Sequence, residues 1–226
     1  MPEGVGPVWT IVVAGGSGRR FGGMKQFEML DHRRVIDVSV EVATACSHGV
    51  VVVVPADDAE RERAVPGGST RSESVRAGLS AVPDDARMIL VHDAARPFAS
   101  PELYRRVVAA LAAGADAAIP GIAVTDTVKV LADPPVAGAE TLGTVVDTPD
   151  RARLVAVQTP QGFTAAALRA AHRSGGDATD DAALVEAAGG RVVVVAGDVV
   201  NAKITDPDDL ERARRHVSDR SDEVGP

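Results

Sequence analysis

Short runs of valine, isoleucine and leucine recur along the chain, at Val8–Val13, Val50–Val54, Met88–Val91, Asp116–Ile119, Leu154–Val157 and Arg191–Val195. Between them lie segments with apolar residues at helical spacing, including Arg34–Ala45, Ser72–Ala81, Thr164–His172 and Ala182–Ala188. An unbroken β-branched run suits a strand buried on both faces, as in a parallel sheet. Strand–helix alternation therefore predicts an α/β fold, an open, mostly parallel twisted sheet flanked by helices. In such sheets a ligand sits beyond the carboxyl ends of the strands. At 226 residues the chain reads as a single domain over 1–226.

The first strand runs into Ala14-Gly15-Gly16-Ser17-Gly18-Arg19-Arg20 and then Lys25-Gln26. Glycines let backbone N–H groups approach a ligand, and amides in such a turn form an anion-binding concavity. Arg19, Arg20 and Lys25 add fixed positive charge there, so the loop is a candidate polyphosphate site. It is not a P-loop, since no lysine is followed by Ser or Thr. Nor is it a dinucleotide fingerprint, since the last glycine of G-x-G-x-x-G is missing. On the glycines alone, an ordinary strand-to-loop turn is as good a reading.

The net charge is −8, so there is no global basic field to hold nucleic acid. Of 24 basic residues, lysine occupies only positions 25, 129 and 203. An ammonium is a compact point charge that a guanidinium does not replace at a tight site, so these three positions are pointers. No signal peptide is read at Met1-Pro2-Glu3-Gly4, and no apolar run is long enough to span a bilayer. The single cysteine, Cys46, follows a helix and is expected to pack as a small buried residue. A cytoplasmic protein is expected.

Further along, Gly67-Gly68-Ser69-Thr70-Arg71 is a second glycine-led loop, with Ser72 or Ser69 capping the helix after it. The third strand ends at His92-Asp93-Ala94-Ala95-Arg96-Pro97. Ser100 caps a helix with Pro101 at its first position, running to Ala113. Residues 121–148 break the alternation. Val124–Val130 and Thr141–Asp147 read as half-exposed strands around an Asp133-Pro134-Pro135 turn, and such a hairpin needs a covering partner. We expect a dimerisation arm, an ordinary surface hairpin being the plainer alternative. Thr159 and Gln161 follow the next core strand, Thr179-Asp180-Asp181 caps a helix, and Lys203 follows the last valine strand. The final helix opens at Asp206, and its tail is expected to fray beyond about Ser218.

The strand-end rule gathers Arg19, Arg20, Lys25, His92, Asp93, Arg96, Thr159, Gln161 and Lys203 on one rim. They offer cationic clamping plus one carboxylate, Asp93, able to hold a divalent ion. No nucleophile–base pair and no zinc set is present. Phosphoryl or nucleotidyl transfer fits, because it needs positioning and charge neutralisation. His92 reads as orienting the Asp93 turn. His32, His48, His172 and His216 read as surface or satisfied residues, and Arg71 and Arg76 as a solvated face.

Ala14–Arg20, Lys25-Gln26, Thr70-Arg71 with Ser74–Leu79, His92–Pro97, Asp126–Lys129, Thr159-Pro160-Gln161 and Lys203-Ile204-Thr205 occur in order. As an ordered set they resemble the 2-C-methyl-D-erythritol 4-phosphate cytidylyltransferase family over nearly the whole chain. The resemblance implies a Rossmann-like nucleotidyltransferase fold with an inserted β-arm, and cytidylyl transfer from CTP to methylerythritol phosphate with Mg²⁺. It assigns the triphosphate to Ala14, Gly15, Gly16, Ser17 and Gly18, and cytosine to Gly67, Gly68 and Ser74. Arg19 or Arg20, Lys25 and Lys203 would stabilise charge at the α-phosphate. Asp93 would lie near the metal and the substrate diol, and Arg96, Thr159 and Thr179 near the substrate. Thr127 and Arg151 from the arm of a second copy would meet the substrate phosphate, making a homodimer necessary. The chain departs from the family at Met24, where proline is common, at Gly15, often alanine, and at Ser69, often acidic. The first two loosen the loop. Ser69 puts the side-chain part of the cytosine contact in question. Rival readings are cytidylyl transfer to ribitol 5-phosphate, which Ala94-Ala95 disfavours, and transfer to a sugar 1-phosphate or pterin, which Thr159-Pro160-Gln161 with Lys203 disfavours. A third is a silent nucleotide-binding module, which the retained Lys25, Asp93 and Lys203 disfavour. The sequence ends at Pro226, and no fused downstream cyclase domain is expected.

Overall fold

A computed structural model describes residues 6–15, 21–135, 138–173 and 175–223. Its main sheet holds β1 (Val8–Val13), β2 (Gly49–Val54), β3 (Val65–Pro66), β4 (Met88–Asp93), β5 (Ala117–Ala123), β6 (Val155–Val157), β7 (Gln161–Thr164) and β8 (Val192–Ala196). The order is β6-β5-β7-β4-β1-β2-β3, with β8 on β5. The helices are α1 (Val35–Ala45), α2 (Ala59–Glu62), α3 (Arg71–Ala81), α4 (Pro101–Ala112), α5 (Ala165–Arg173), α6 (Asp181–Ala187) and α7 (Pro207–Glu223).

The runs of β1, β2 and β4 are central because both faces of these strands meet apolar side chains. Ile11, Val13, Ile89 and Val91 join one core with Val75 and Leu79 of α3 and Leu168 of α5. The alternate residues Val8, Val12, Met88 and Leu90 join a second core with Leu103, Tyr104 and Val107 of α4. This period-two split puts helices on both faces of the sheet. The expected fold class holds, with β1 parallel to both β2 and β4.

Three strands differ from expectation, the first being β6, whose Val155 and Ala156 are exposed where a buried run is read. Residues 161–164 form β7, buried and antiparallel between β4 and β5, where the sequence reads as a rim loop. Its run of Gln-Gly-Phe-Thr is too short and polar to signal a strand, but Phe163 fills the core at 0% exposure and Gly162 packs under Val107. The β8 valines, expected to be buried, are half-exposed because β8 lies on the sheet edge. A helix cap differs too. Thr70, not Ser69 or Ser72, caps α3, with Glu73 returning the bond to the Thr70 N–H. At α6 the cap falls within the expected Thr179-Asp180-Asp181 run, on Asp180, whose Oδ1 accepts from Ala183 N at 3.0 Å. Helix α7 continues past Ser218 to Glu223.

The hairpin excursion is present but shorter than expected, pairing Val130–Leu131 with Val145–Asp147. Leu142, Val145 and Val146 on it are exposed. Helix α7 folds back across the short Met29–Leu30 and Arg33–Arg34 ladder, burying Leu210 and Ala213 against Leu30, Val35 and Ile204. That packing brings the chain end, with Lys203 just before it, to the side of the molecule that holds Lys25.

Candidate functional site

Register builds the rim. Val13 pairs with Val53 on one side and Asp93 on the other, so β1, β2 and β4 end together. The loops leaving them are pinned by backbone bonds, Ala14 N to Val53 O at 2.7 Å, Gly67 N to Val54 O at 2.8 Å and Ala94 N to Val13 O at 3.0 Å. Thr159 arrives from the opposite direction. Because β7 runs antiparallel, pairing Gln161 with Val91, its entry lies where β4 ends. So Thr159 sits at the rim between β6, which it follows as the sequence suggests, and the entry of β7, which Gln161 opens. The Thr159–Pro160 peptide is cis.

These loops enclose a cavity of about 700 Å³. Its wall includes Ala14 and Gly15, Lys25, Gly67 and Gly68, Ser74, Asp93 and Lys203, all picked from the sequence. Arg71, Ser69 and Met24 line it as well. Ser74 is the hinge of the glycine pair. Its hydroxyl donates to Thr70 O at 3.0 Å and accepts from Gly68 N at 3.2 Å. A Cβ on Gly67 or Gly15 would come within 2.8 or 2.9 Å of that oxygen, so the glycines allow the two loops to close on Ser74. Ser69 spends its hydroxyl on Glu73. Gly16, Ser17, Gly18, Arg19 and Arg20 lie outside the described residues.

Asp93 is the electrostatic centre. Lys203 Nζ donates to its Oδ2 at 2.6 Å and Arg71 Nε to its Oδ1 at 3.4 Å. Burial alone would raise the Asp93 carboxyl, but the Arg71 and Lys203 cations overcome it and hold the group well below the ordinary carboxylate range. Lys203 is less of a free rim lysine than its sequence suggests, since its side chain is 39% exposed and paired with a nearly buried carboxylate. Beneath Asp93 runs a saturated chain of hydrogen bonds. Asp93 N–H donates to Thr159 Oγ1 at 3.0 Å, and Thr159 Oγ1 lies 3.0 Å from His92 Nδ1. His92 Nε2 lies 3.2 Å from Arg96 O. With Oγ1 accepting from Asp93, its proton goes to Nδ1, so the His92 proton sits on Nε2. Burial lowers His92 to about 4, so the ring is neutral at pH 7. This is the orienting role read from the sequence.

A third layer fixes Lys203. Arg96 Nη1 donates to Asn201 O at 2.8 Å and Nη2 to Val157 O at 3.3 Å. Asn201 Nδ2 donates to Thr159 O at 2.8 Å, and Gln158 clasps Asp198 through both its amide atoms. Ile204 N donates to Ala95 O at 2.8 Å. Arg96 and Thr159 are therefore tethers in this structure and do not line the cavity. Thr179 is exposed, as are Thr127 and Arg151, and Arg151 reaches back to Thr125 O at 2.7 Å. Lys129 donates to Thr148 Oγ1 at 2.8 Å on the arm, while Lys25 and Lys203 line the cavity.

Sequence reasoning missed Arg71, Asp181, Asn201 and Gln158. For Arg71 a signal existed, since a cation in the first turn of a helix opposes the macrodipole and calls for a carboxylate. His172 is neither surface nor satisfied. It is 5% exposed, bound to Asp181, and its Nδ1 has no partner.

The chain matches the family IspD, 2-C-methyl-D-erythritol 4-phosphate cytidylyltransferase, over residues 8–219. A curated relative named 2-C-methyl-D-erythritol 4-phosphate cytidylyltransferase, from Rhodococcus opacus, is 44% identical over 97% of this chain and 99% of its own length. The "Bifunctional enzyme IspD/IspF" of Nitratidesulfovibrio vulgaris is 44% identical over 89% of this chain, and the chain spans 56% of that relative's length. The crystal structure of 2-C-methyl-D-erythritol 4-phosphate cytidylyltransferase from Thermus thermophilus superposes with a TM-score of 0.76 at 35% identity, covering 94% of this chain and 99% of that one.

Proposed function

We propose, from the premise that this chain belongs to the 2-C-methyl-D-erythritol 4-phosphate cytidylyltransferase family, that it transfers a cytidylyl group from CTP to 2-C-methyl-D-erythritol 4-phosphate for isoprenoid precursor synthesis. A phosphate oxygen of the acceptor forms a bond to the α-phosphorus as the bridging bond to the β-phosphate breaks, and pyrophosphate leaves with that electron pair. Such a step needs alignment and charge neutralisation more than covalent help from the protein. The observation that carries the reading is that Lys25, Asp93 and Lys203, far apart in the chain, line one cavity with two glycine-led loops.

Ala14 and Gly15, continuing into Gly16, Ser17 and Gly18, cradle the triphosphate, with Arg19 or Arg20 beside it. Gly67, Gly68 and Ser74 receive the cytosine through backbone groups. Lys25 and Lys203 hold charge that builds at the α-phosphate. Arg96, Thr159 and Thr179 serve the erythritol side, the first two by fixing the strand-end loops.

A divalent ion fits the donors present. Among the described residues no group of three or more His, Cys, Asp or Glu could cage a metal. Asp93 offers one ionised carboxylate on the cavity wall. Mg²⁺ characteristically takes one or two carboxylates together with substrate phosphates and water. Asp93 would hold it, and when bound it would neutralise phosphate charge.

The chain acts as a homodimer through the 121–148 arm, where Thr127 and Arg151 of the partner subunit complete the substrate phosphate site. Exposed Leu142, Val145 and Val146 support this, since a two-stranded ladder with apolar side chains calls for a cover. No described helix is long and apolar enough to cross a membrane, and the site is read as cytoplasmic.

The test is pyrophosphate release from CTP and Mg²⁺ with methylerythritol phosphate, beside ribitol 5-phosphate. Release with the first alone is expected. Release with ribitol phosphate alone would keep the chemistry and overturn the acceptor. Silence with both, from protein that still binds CTP, would leave a binding module.

A further inference from the structure

Behind Asp93 the site continues into a buried set of charges that the proposed chemistry does not use. Arg71 divides its guanidinium between two carboxylates. Nη1 meets Asp181 Oδ2 at 2.6 Å, while Nε reaches Asp93 Oδ1 only at 3.4 Å. Asp181, the first residue of α6, is 0% exposed and takes a second hydrogen bond, at 2.9 Å, from His172 Nε2 of α5. The contacts on Arg71 are thus unequal, tight on the buried side and long on the cavity side.

A guanidinium fork facing one carboxylate closes on it with two parallel bonds. Here it does not, because Asp181 claims Nη1. Asp93 consequently keeps Oδ2 for Lys203 and keeps Oδ1 only loosely engaged.

We propose that Asp181, held in place by His172, is a positioning residue that draws the Arg71 guanidinium back, so that Arg71 braces the Asp93 carboxylate without capturing it. Asp93 then stays steady yet open to a divalent cation. The inference rests on the reading of Asp93 as the carboxylate that meets the metal. Remove the Asp181 charge, and Asp93 becomes the one carboxylate left to Arg71 among those it meets here. The fork closes, and a cation must compete with a bidentate pair. Remove the Arg71 charge as well, and the competition ends, but the Asp93 carboxylate loses its brace.

The experiment measures binding of Mn²⁺ with CTP, from the free-Mn²⁺ resonance, beside kcat and CTP binding without metal. Asp181→Asn is expected to weaken Mn²⁺ binding by about tenfold or more, the range for losing an outer partner of a metal ligand, with metal-free CTP binding unchanged. Asp181→Asn/Arg71→Gln is expected to restore wild-type Mn²⁺ affinity while kcat stays about tenfold low or lower. A purely structural role for Asp181 would leave the double variant at least as impaired in both. The proposal is overturned if Asp181→Asn binds Mn²⁺ as the wild type does, or if the double variant binds it as weakly as the single. Should the single variant fail to fold, the double, which removes both ends of the buried pair, decides alone. Weakened Mn²⁺ binding or undiminished kcat in it sinks the idea. Asp93→Asn separates the premise, since unchanged Mn²⁺ binding there would overturn the metal role of Asp93 and the proposal with it.

Discussion

Replacing Thr159 by valine keeps the shape of the side chain and deletes one oxygen. That oxygen serves two buried partners, the Asp93 N–H and His92 Nδ1, each at 3.0 Å. Thr159 is 5% exposed and His92 1%, so water does not readily replace it. An orphaned buried donor or acceptor costs about 1–3 kcal/mol. Two of them predict a loss of about 2–5 kcal/mol for Thr159→Val. For a domain of this size each kcal/mol moves the melting temperature by about 2–4 °C, giving a drop of roughly 5–15 °C. Thr159→Ser keeps the oxygen and loses one methyl, for which about 1 kcal/mol is expected. The assay is thermal unfolding by circular dichroism at one protein concentration, since any dimer makes the midpoint concentration-dependent. If Thr159→Val melts within about 2 °C of the wild type, or Thr159→Ser falls as far as Thr159→Val, the oxygen is not the hub the geometry makes it, on the scale of cost expected for such groups.

Lys203→Ala is expected to lower kcat by about 10²–10³, the size of effect seen when a charge-stabilising group is removed, and to lower the melting temperature as well, because the nearly buried Asp93 carboxylate loses its 2.6 Å partner and keeps only Arg71; steady-state kinetics beside a melt checks both halves. His92 gives a pH signature. Its folded pKa, about 4, lies below its unfolded value near 6.5, so the stability it contributes is full above pH 6.5 and is lost as pH falls towards 4. That loss amounts to about 3 kcal/mol, and denaturant titrations should show its slope flatten in His92→Gln. Asp93, held low, contributes stability that is lost only at more acid pH, below the ordinary carboxylate range. Gly78→Ala on α3 sets two effects against each other. A Cβ there would stand 2.6 Å from Ile11 Cγ2 and 3.0 Å from Val53 Cγ2, an overpacking cost of about 1–3 kcal/mol against a helix gain of about 0.5–1 kcal/mol; net destabilisation is expected in denaturant melts, and a stabilised variant would show the helix–sheet seam to be looser than drawn.

The sheet was legible because its valine runs carry their own burial, and the strand-end rule then placed Lys25, Asp93 and Lys203 on one rim. What stayed hidden depended on pairing between distant segments. Strand β7 is made of Gln161, Gly162, Phe163 and Thr164, which carry no strand pattern, and it exists because β4 and β5 leave a slot between them. The pairing of Arg71 with Asp181 is also hidden, although Arg71 alone carries the signal of a cation in a first helical turn. Each reads as a helix-start residue until the fold sets them 2.6 Å apart. Arg96 and Thr159 were picked as substrate contacts, but Thr159 Oγ1 and Arg96 Nη1 and Nη2 are committed to holding loops, a commitment that only the folded pairing reveals.

The overall charge of −8 repels a nucleotide at long range, although screening confines that repulsion to about 8 Å at physiological salt. Capture must therefore be local, and local cations stabilise a phosphate only if they are already in place. At Lys203 and Arg71 the chain meets that need by attaching the cation to something buried. Lys203 is fixed through Ile204 to Ala95 and through Asn201 to Thr159 and Arg96. Arg71 is fixed through Asp181 to His172. Helix α7 packs Ile204, Leu210 and Ala213 against Leu30 and Val35, the segment that follows Lys25. Polar groups buried at this density would be a liability in an ordinary core. Here they hold charge in a set geometry before substrate arrives, which is the condition under which electrostatic stabilisation of a transferring phosphoryl group costs no reorganisation.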